Sequence, residues 1–203
     1  VVQVPNVMGT DDQQWADGIK GGISYLQGQN SSSSVLEGMI SGVFGAAGHS
    51  MGGGGVLLAA AQDSRIKAVV SMAAPSPNMT INIPFLPSAS QLCGPVYVAA
   101  GSIRVPVQVM AGSGDILVPA TASQAYYPEL GEPKEFVEIT GVGHLDYTDI
   151  LSNASYLQII EKYTKHWFDY YLKGDTSSYT YIFGTEAQND LASGALSALN
   201  FSP

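Results

Sequence analysis

The run Gly42-Val43-Phe44-Gly45-Ala46-Ala47-Gly48-His49-Ser50-Met51-Gly52-Gly53-Gly54-Gly55 decides the fold. Its first half, Gly42 to Gly48, is short, apolar and dense in glycine and alanine, as a strand buried on both faces of a parallel sheet would be. From Met51 to about Gln62 the residues favour a helix. Between the two lies Gly48-His49-Ser50-Met51-Gly52. The spacing G-x-S-x-G is weakly specific in a chain with 23 glycines; an idle serine in a glycine-rich turn would look the same. Its placement carries the meaning. A serine on a tight strand-to-helix turn projects its hydroxyl from the backbone, and glycines two residues to either side relieve the crowding. The helix N-terminus brings partial positive charge beside Ser50, which makes the Met51 N–H the expected oxyanion donor.

Outward from this turn, strands and helices alternate. Val1 to Val4 reads as a short strand. A helix capped by Asp11 or Asp12 runs to about Gln27, with Trp15, Ile19, Ile23 and Leu26 on one face. Asn30 to Ser34 is a polar loop. Ile66–Met72, Val105–Met110 and Glu135–Ile139 are further strands. Residues 74–97 hold five prolines, at 75, 77, 84, 87 and 95, and read as a long loop or small cap. Tyr156 to Lys173 is an amphipathic helix striped by Ile160, Tyr163, Trp167 and Tyr171, ended by Gly174. Residues 176–203 read as a C-terminal tail with one short helix near Glu186–Ala198. The alternation predicts a mostly parallel sheet flanked by helices, in a single domain over 1–203, with ligands at the carboxyl ends of the strands.

Two of those strand ends carry reactive residues. Ala111-Gly112-Ser113-Gly114-Asp115 follows one, so Asp115 can turn inward; a turn or cap aspartate is the plainer reading. Gly141-Val142-Gly143-His144 follows another. A serine hydroxyl needs a base to accept its proton, and a carboxylate to orient that base. Of the three histidines, His144 suits the base. His166 sits inside the amphipathic helix as a structural residue. His49 adjoins the serine as a packing or substrate-proximal residue. The order Ser50, Asp115, His144 is the α/β-hydrolase order, unlike that of chymotrypsin or subtilisin.

Composition narrows the partners. Net charge is −9, from 17 acidic and 8 basic residues. No basic stripe exists to neutralise phosphates, which argues against nucleic acid and anionic membranes. No run of 18 apolar residues exists to span a bilayer. The single cysteine, Cys93, reads as a small buried residue and excludes an intrachain disulfide. No His/Asp/Glu spacing brings three metal ligands onto one element, so neither metal nor cofactor is expected. The Asn-x-Ser/Thr triplets at Asn30, Asn78, Asn153 and Asn200 suggest a secreted protein. The opening Val1-Val2-Gln3-Val4-Pro5 reads as the middle of a fold, with a leader or a larger piece expected before it.

The elbow Gly48 to Gly55, the loop Gly112-Ser113-Gly114-Asp115 with Pro119, Gly143-His144, and the helix end Trp167-Phe168-Asp169-Tyr170-Tyr171-Leu172-Lys173-Gly174-Asp175 together resemble the dienelactone-hydrolase-like and cutinase-like α/β-hydrolases. That group includes polyester hydrolases and chlorophyllase- and platelet-activating-factor-acetylhydrolase-like esterases. The likeness covers about residues 1 to 175. It implies a serine carboxylic-ester hydrolase, with cutin-like or polyester substrates, acting through an acyl-enzyme. His49, Phe85 and Leu86 are the expected substrate-binding residues. Dienelactone hydrolysis itself ranks low, because that activity uses an elbow cysteine where this chain has Ser50. In the group, a strand beside the elbow strand and a loop giving the second oxyanion N–H come earlier in the chain; no segment here matches them. An N-terminally shortened fold is therefore expected, with a partner chain or missing segment completing the sheet. The alternative is a hydrolase-like fragment or pseudoenzyme that binds ligand without efficient turnover. The tryptophan that polyester hydrolases carry after the next strand is replaced by Ala73-Ala74-Pro75-Ser76-Pro77.

Overall fold

The computed structural model describes residues 11–31, 33–79, 88–148 and 153–203, the side chains at 89, 90 and 92 excepted. The expected strand at Val1–Val4 lies outside these residues, as do Phe85 and Leu86. The elements are α1 (Asp12–Asn30), β1 (Phe44–His49), α2 (Met51–Gln62), β2 (Ile66–Met72), α3 (Ala89–Ala100), β3 (Val107–Gly112), α4 (Ala120–Gln124), β4 (Lys134–Ile139), α5 (Ala154–Lys173), α6 (Tyr179–Ile182), α7 (Thr185–Ala192) and β5 (Leu196–Ser202). The sheet order is β1-β2-β3-β4-β5. β1 to β4 are parallel, and β5 runs antiparallel to β4. Among the described residues, β1 pairs on one side only.

The period of two along each strand builds a core on both faces. Val69 packs into a cluster with Ala16 and Ile23 of α1, Val56 and Leu57 of α2, and Val96 of α3. Its neighbours Ala68 and Val70 point the other way, to Ile160, Tyr163 and Trp167 of α5 and Ile182 of α6. This two-sided burial explains why β3 is buried along its whole length. Small residues are used where a helix lies directly on the sheet. A Cβ on Gly45 would stand 2.7 Å from Phe168 and from Leu172 of α5.

Two regions differ from the sequence reading. The proline-rich stretch 74–97 runs into α3, which begins with a capping box between Ser88 and Gln91 and carries Pro95 within it. Cys93, Val96 and Ala100 are buried at helical spacing, and the proline is on the exposed side. Burial of one face outweighs the hydrogen bond that proline forfeits. The residues after 175 are no appended tail. They form α6 and α7, and their last strand β5 pairs with β4 from Ile139↔Leu196 to Lys134↔Ser202. The helix expected to reach Ala198 stops at Ala192, where Gly194 takes φ +79° and Leu196 turns into the core. No helix among the described residues is long and apolar enough to cross a membrane.

Candidate active site

Ser50 occupies the turn between β1 and α2 with φ 57° and ψ −125°, a left-handed region that side chains disfavour. The surrounding backbone imposes it. The Ser50 N–H donates to the Met72 carbonyl at 2.9 Å, and the Gly53 N–H donates to the Ser50 carbonyl at 2.8 Å. A Cβ on Gly48 would lie 2.1 Å from the Gly52 carbonyl oxygen, so only glycine fits at 48. Gly52 is different: a Cβ there would meet Trp15 no nearer than 3.8 Å. The symmetric role expected of the two flanking glycines therefore holds at Gly48 alone. Gly54 and Gly55 answer to α1, since Cβ atoms there would stand 2.7 Å from Asp12 and 2.4 Å from Trp15.

The acid and base loops are packed on one another. The Gly114 N–H donates to the Val142 carbonyl at 3.0 Å, and the Gly141 N–H to Ser113 Oγ at 2.8 Å. A Cβ on Gly112 would reach 2.1 Å from the Val142 oxygen. This contact brings together the residues predicted from three separate strand ends. His144 Nε2 lies 2.9 Å from Ser50 Oγ, and its Nδ1 lies 2.7 Å from Asp115 Oδ2. With the proton assigned to Nδ1, that nitrogen donates to Asp115 and Nε2 is free to accept from the serine hydroxyl. Asp115 is buried, and its Oδ1 accepts from the N–H groups of Leu117 at 2.9 Å and Val118 at 2.7 Å. Both carboxylate oxygens are thus engaged, which fixes the orientation of Oδ2. His144 opens a one-turn 3-10 helix, His144–Tyr147.

Met51 is the first residue of α2. Its N–H has no intrahelical acceptor by the geometry of a helix start. His49, the last residue of β1, turns its ring onto the base: the centroids of His49 and His144 are 4.6 Å apart, and those of His49 and Tyr147 are 5.2 Å apart. The His49 Nε2 is shut off from solvent and has no partner among the described residues. Burial, and then the charge His144 can carry, push His49 down to about 4. His166 has the structural role expected of it, with Nδ1 2.9 Å from Ser178 Oγ and its ring stacked on Tyr181. Two features escaped sequence reading. Tyr147 is one. The other is a cleft of about 510 Å³ beside the acid loop, lined by Ser76, Met79, Ile116, Leu117 and Thr121. Ile116 is 90% exposed and Leu117 52%; apolar residues directly after the acid were the available signal.

Residues 6–92 match the PET hydrolase-like family. The parallel sheet flanked by helices and this match together give the chain an α/β-hydrolase fold. Two uncharacterized proteins of Mycobacterium tuberculosis, one from strain CDC 1551 / Oshkosh and one from strain H37Rv, are each 34% identical to it over 85 residues. That alignment spans 41% of this chain and 30% of each relative's length. The family match takes in α1, β1, the elbow with Ser50, α2 and β2; Asp115 and His144 lie beyond it.

Proposed function

We propose that this protein of α/β-hydrolase fold is a secreted serine carboxylic-ester hydrolase. The supporting observation is the hydrogen-bonded chain Ser50 Oγ to His144 Nε2 at 2.9 Å and His144 Nδ1 to Asp115 Oδ2 at 2.7 Å. Ser50 Oγ attacks the ester carbonyl carbon while His144 Nε2 takes its proton. The carbonyl oxygen becomes an oxyanion, held by the Met51 N–H at the positive end of α2. His144 then gives the proton to the departing alkoxide, leaving an acyl group on Ser50. Water then attacks the acyl carbon, giving a proton to the same nitrogen, which returns it to Ser50 Oγ as the bond to the serine breaks and the acid departs. Asp115 holds the imidazole in the tautomer that can accept, and stabilises the imidazolium formed between the two transfers.

The cleft beside Ile116 and Leu117 also presents the polar side chains of Ser76, Asn78 and Thr121; apolar and polar walls together suit an ester with an apolar acyl or aryl group, as in cutin-like or polyester substrates. The test has two readouts on the folded protein. A fluorophosphonate should add mass at Ser50, and p-nitrophenyl esters should be turned over by the wild type and left at background by Ser50→Ala. Absence of an adduct, or equal turnover by both proteins, refutes the proposal. An adduct without turnover points to the binding-only alternative.

A further inference from the structure

His49 invites a role apart from substrate contact. The two hydrogen bonds of His144 run through its ring edge, at Nδ1 and Nε2. Edge bonds set where the nitrogens sit, but they leave the ring free to tilt about the line joining its partners. A ring face pressed on another ring removes that freedom. In a 3-10 turn the side chains at i and i+3 are eclipsed, so His144 and Tyr147 leave the turn on the same side. The His49 ring contacts both, tilted at 49° to His144 and stacked at 23° on Tyr147. His49 is also the residue before Ser50 on the elbow strand. One short segment therefore carries the nucleophile and the surface that braces its base.

We infer that His49 is a positioning residue for His144: its ring braces the base and Tyr147 together, and it acts through the base rather than on the ester. This inference rests on the ester-hydrolase reading. The Nε2, buried and without a partner among the described residues, fits a bracing role, because a group that recognised an ester would present its polar atom to the cleft. Burial also keeps the ring uncharged in the neutral range, so it does not oppose the positive charge His144 carries between its two proton transfers.

The experiment compares wild type, His49→Ala, His49→Phe and Tyr147→Leu on p-nitrophenyl acetate, butyrate and octanoate. It also records the low-field proton NMR signal of the His144 Nδ1–H. His49→Ala should lose roughly tenfold to a hundredfold in kcat, the scale of a small misplacement of a reacting group. Its KM should stay within about twofold, by the same positioning logic, for every acyl length. The low-field signal should broaden. His49→Phe keeps a ring and should recover both kcat and the signal. Tyr147→Leu removes the second contact and should repeat the kcat-only loss; it carries the test if His49→Ala does not fold. Wild-type kcat in both His49→Ala and Tyr147→Leu overturns the inference. So does a loss that resides in KM and grows with acyl length, which marks substrate contact, or a phenylalanine variant as poor as alanine. If the wild type neither turns over esters nor takes the fluorophosphonate, the hydrolase reading itself fails. The NMR signal in the variants still decides the bracing separately.

Discussion

Glu135 offers the sharpest test of how the core was built. It faces Gln108 across β3 and β4 in register, and both are fully buried. Gln108 Nε2 donates to Glu135 Oε2 at 2.6 Å, while Oε1 of each residue has no partner among the described residues. One hydrogen bond is little support for a carboxylate in an apolar interior. Burial accordingly pushes Glu135 from 4.5 up to about 8, against the smaller opposing pull of Gln108. The neutral acid also brings an O–H donor, which the two unpartnered oxygens lack.

An unfolded glutamate releases its proton near 4.5, whereas the folded chain keeps it to about 8. Between those values the folded state holds one more proton than the unfolded state, so stability falls as pH rises and levels off above about 8. At about 1.4 kcal/mol per unit, the full span corresponds to a loss of order 5 kcal/mol. His49, held near 4, works the opposite way between 4 and 6.5. The clean window is therefore pH 6.5 to 8. The perturbation is Glu135→Gln, which keeps the shape and removes the titration. Urea midpoints at constant ionic strength should fall in the wild type across that window and fall distinctly less in the variant. At pH 8 the variant should be the more stable protein by a few kcal/mol, and at pH 5 the two should agree to within about 1 kcal/mol. Parallel pH profiles in the two proteins would refute the reasoning. Asp12, also buried and raised to about 8, contributes a background slope common to both, which is why the difference is the quantity to read.

Two other substitutions probe the site. Gly112→Ala drives a Cβ to 2.1 Å from the Val142 oxygen, so the acid and base loops must separate. A destabilisation of about 1–3 kcal/mol is expected in thermal unfolding, with ester turnover reduced further than the melting shift alone explains. Asp115→Asn leaves the carbonyl oxygen able to accept from Leu117 and Val118 but turns an amide toward His144 Nδ1, favouring the wrong tautomer. Turnover should drop by roughly ten-thousandfold while urea midpoints change little. A variant within tenfold of wild type would remove Asp115 from the mechanism.

Ser50, Asp115 and His144 are legible in the sequence because each follows a parallel strand and has a glycine close by. The glycines mark backbone contacts: Gly48 against Gly52, Gly112 against Val142, Gly114 against Gly141. Such positions stand out in a sequence because they are local. What stayed hidden was non-local. Nothing near Leu196 announces that it will pair with Ile139. The bracing ring of His49 and its partner Tyr147 are 98 positions apart in the numbering; His49 fills a free position of the G-x-S-x-G run, and Tyr147 belongs to no motif. In α3, the prolines are the loudest local signal and the burial of Cys93, Val96 and Ala100 the quieter one. The quieter signal prevails because it is repeated along a whole helix face.

The same contrast explains where the site draws its rigidity. No strand supplies more than one of the three side chains, so sheet hydrogen bonds alone do not fix their spacing. The loops do, through contacts that any added carbon would break. The strained φ of Ser50, which costs of order 1–3 kcal/mol, persists because Met72 accepts from its N–H and the start of α2 closes over its carbonyl. β2 supplies that acceptor although it carries none of the three residues. Ala73, the residue after β2, at φ 46°, in turn donates through its N–H to the Met110 carbonyl of β3. The nucleophile turn is thus tied through two backbone hydrogen bonds to the strand that ends in the acid loop, and that loop is packed on the base loop. A change at any of these glycines or backbone contacts reaches all three side chains together.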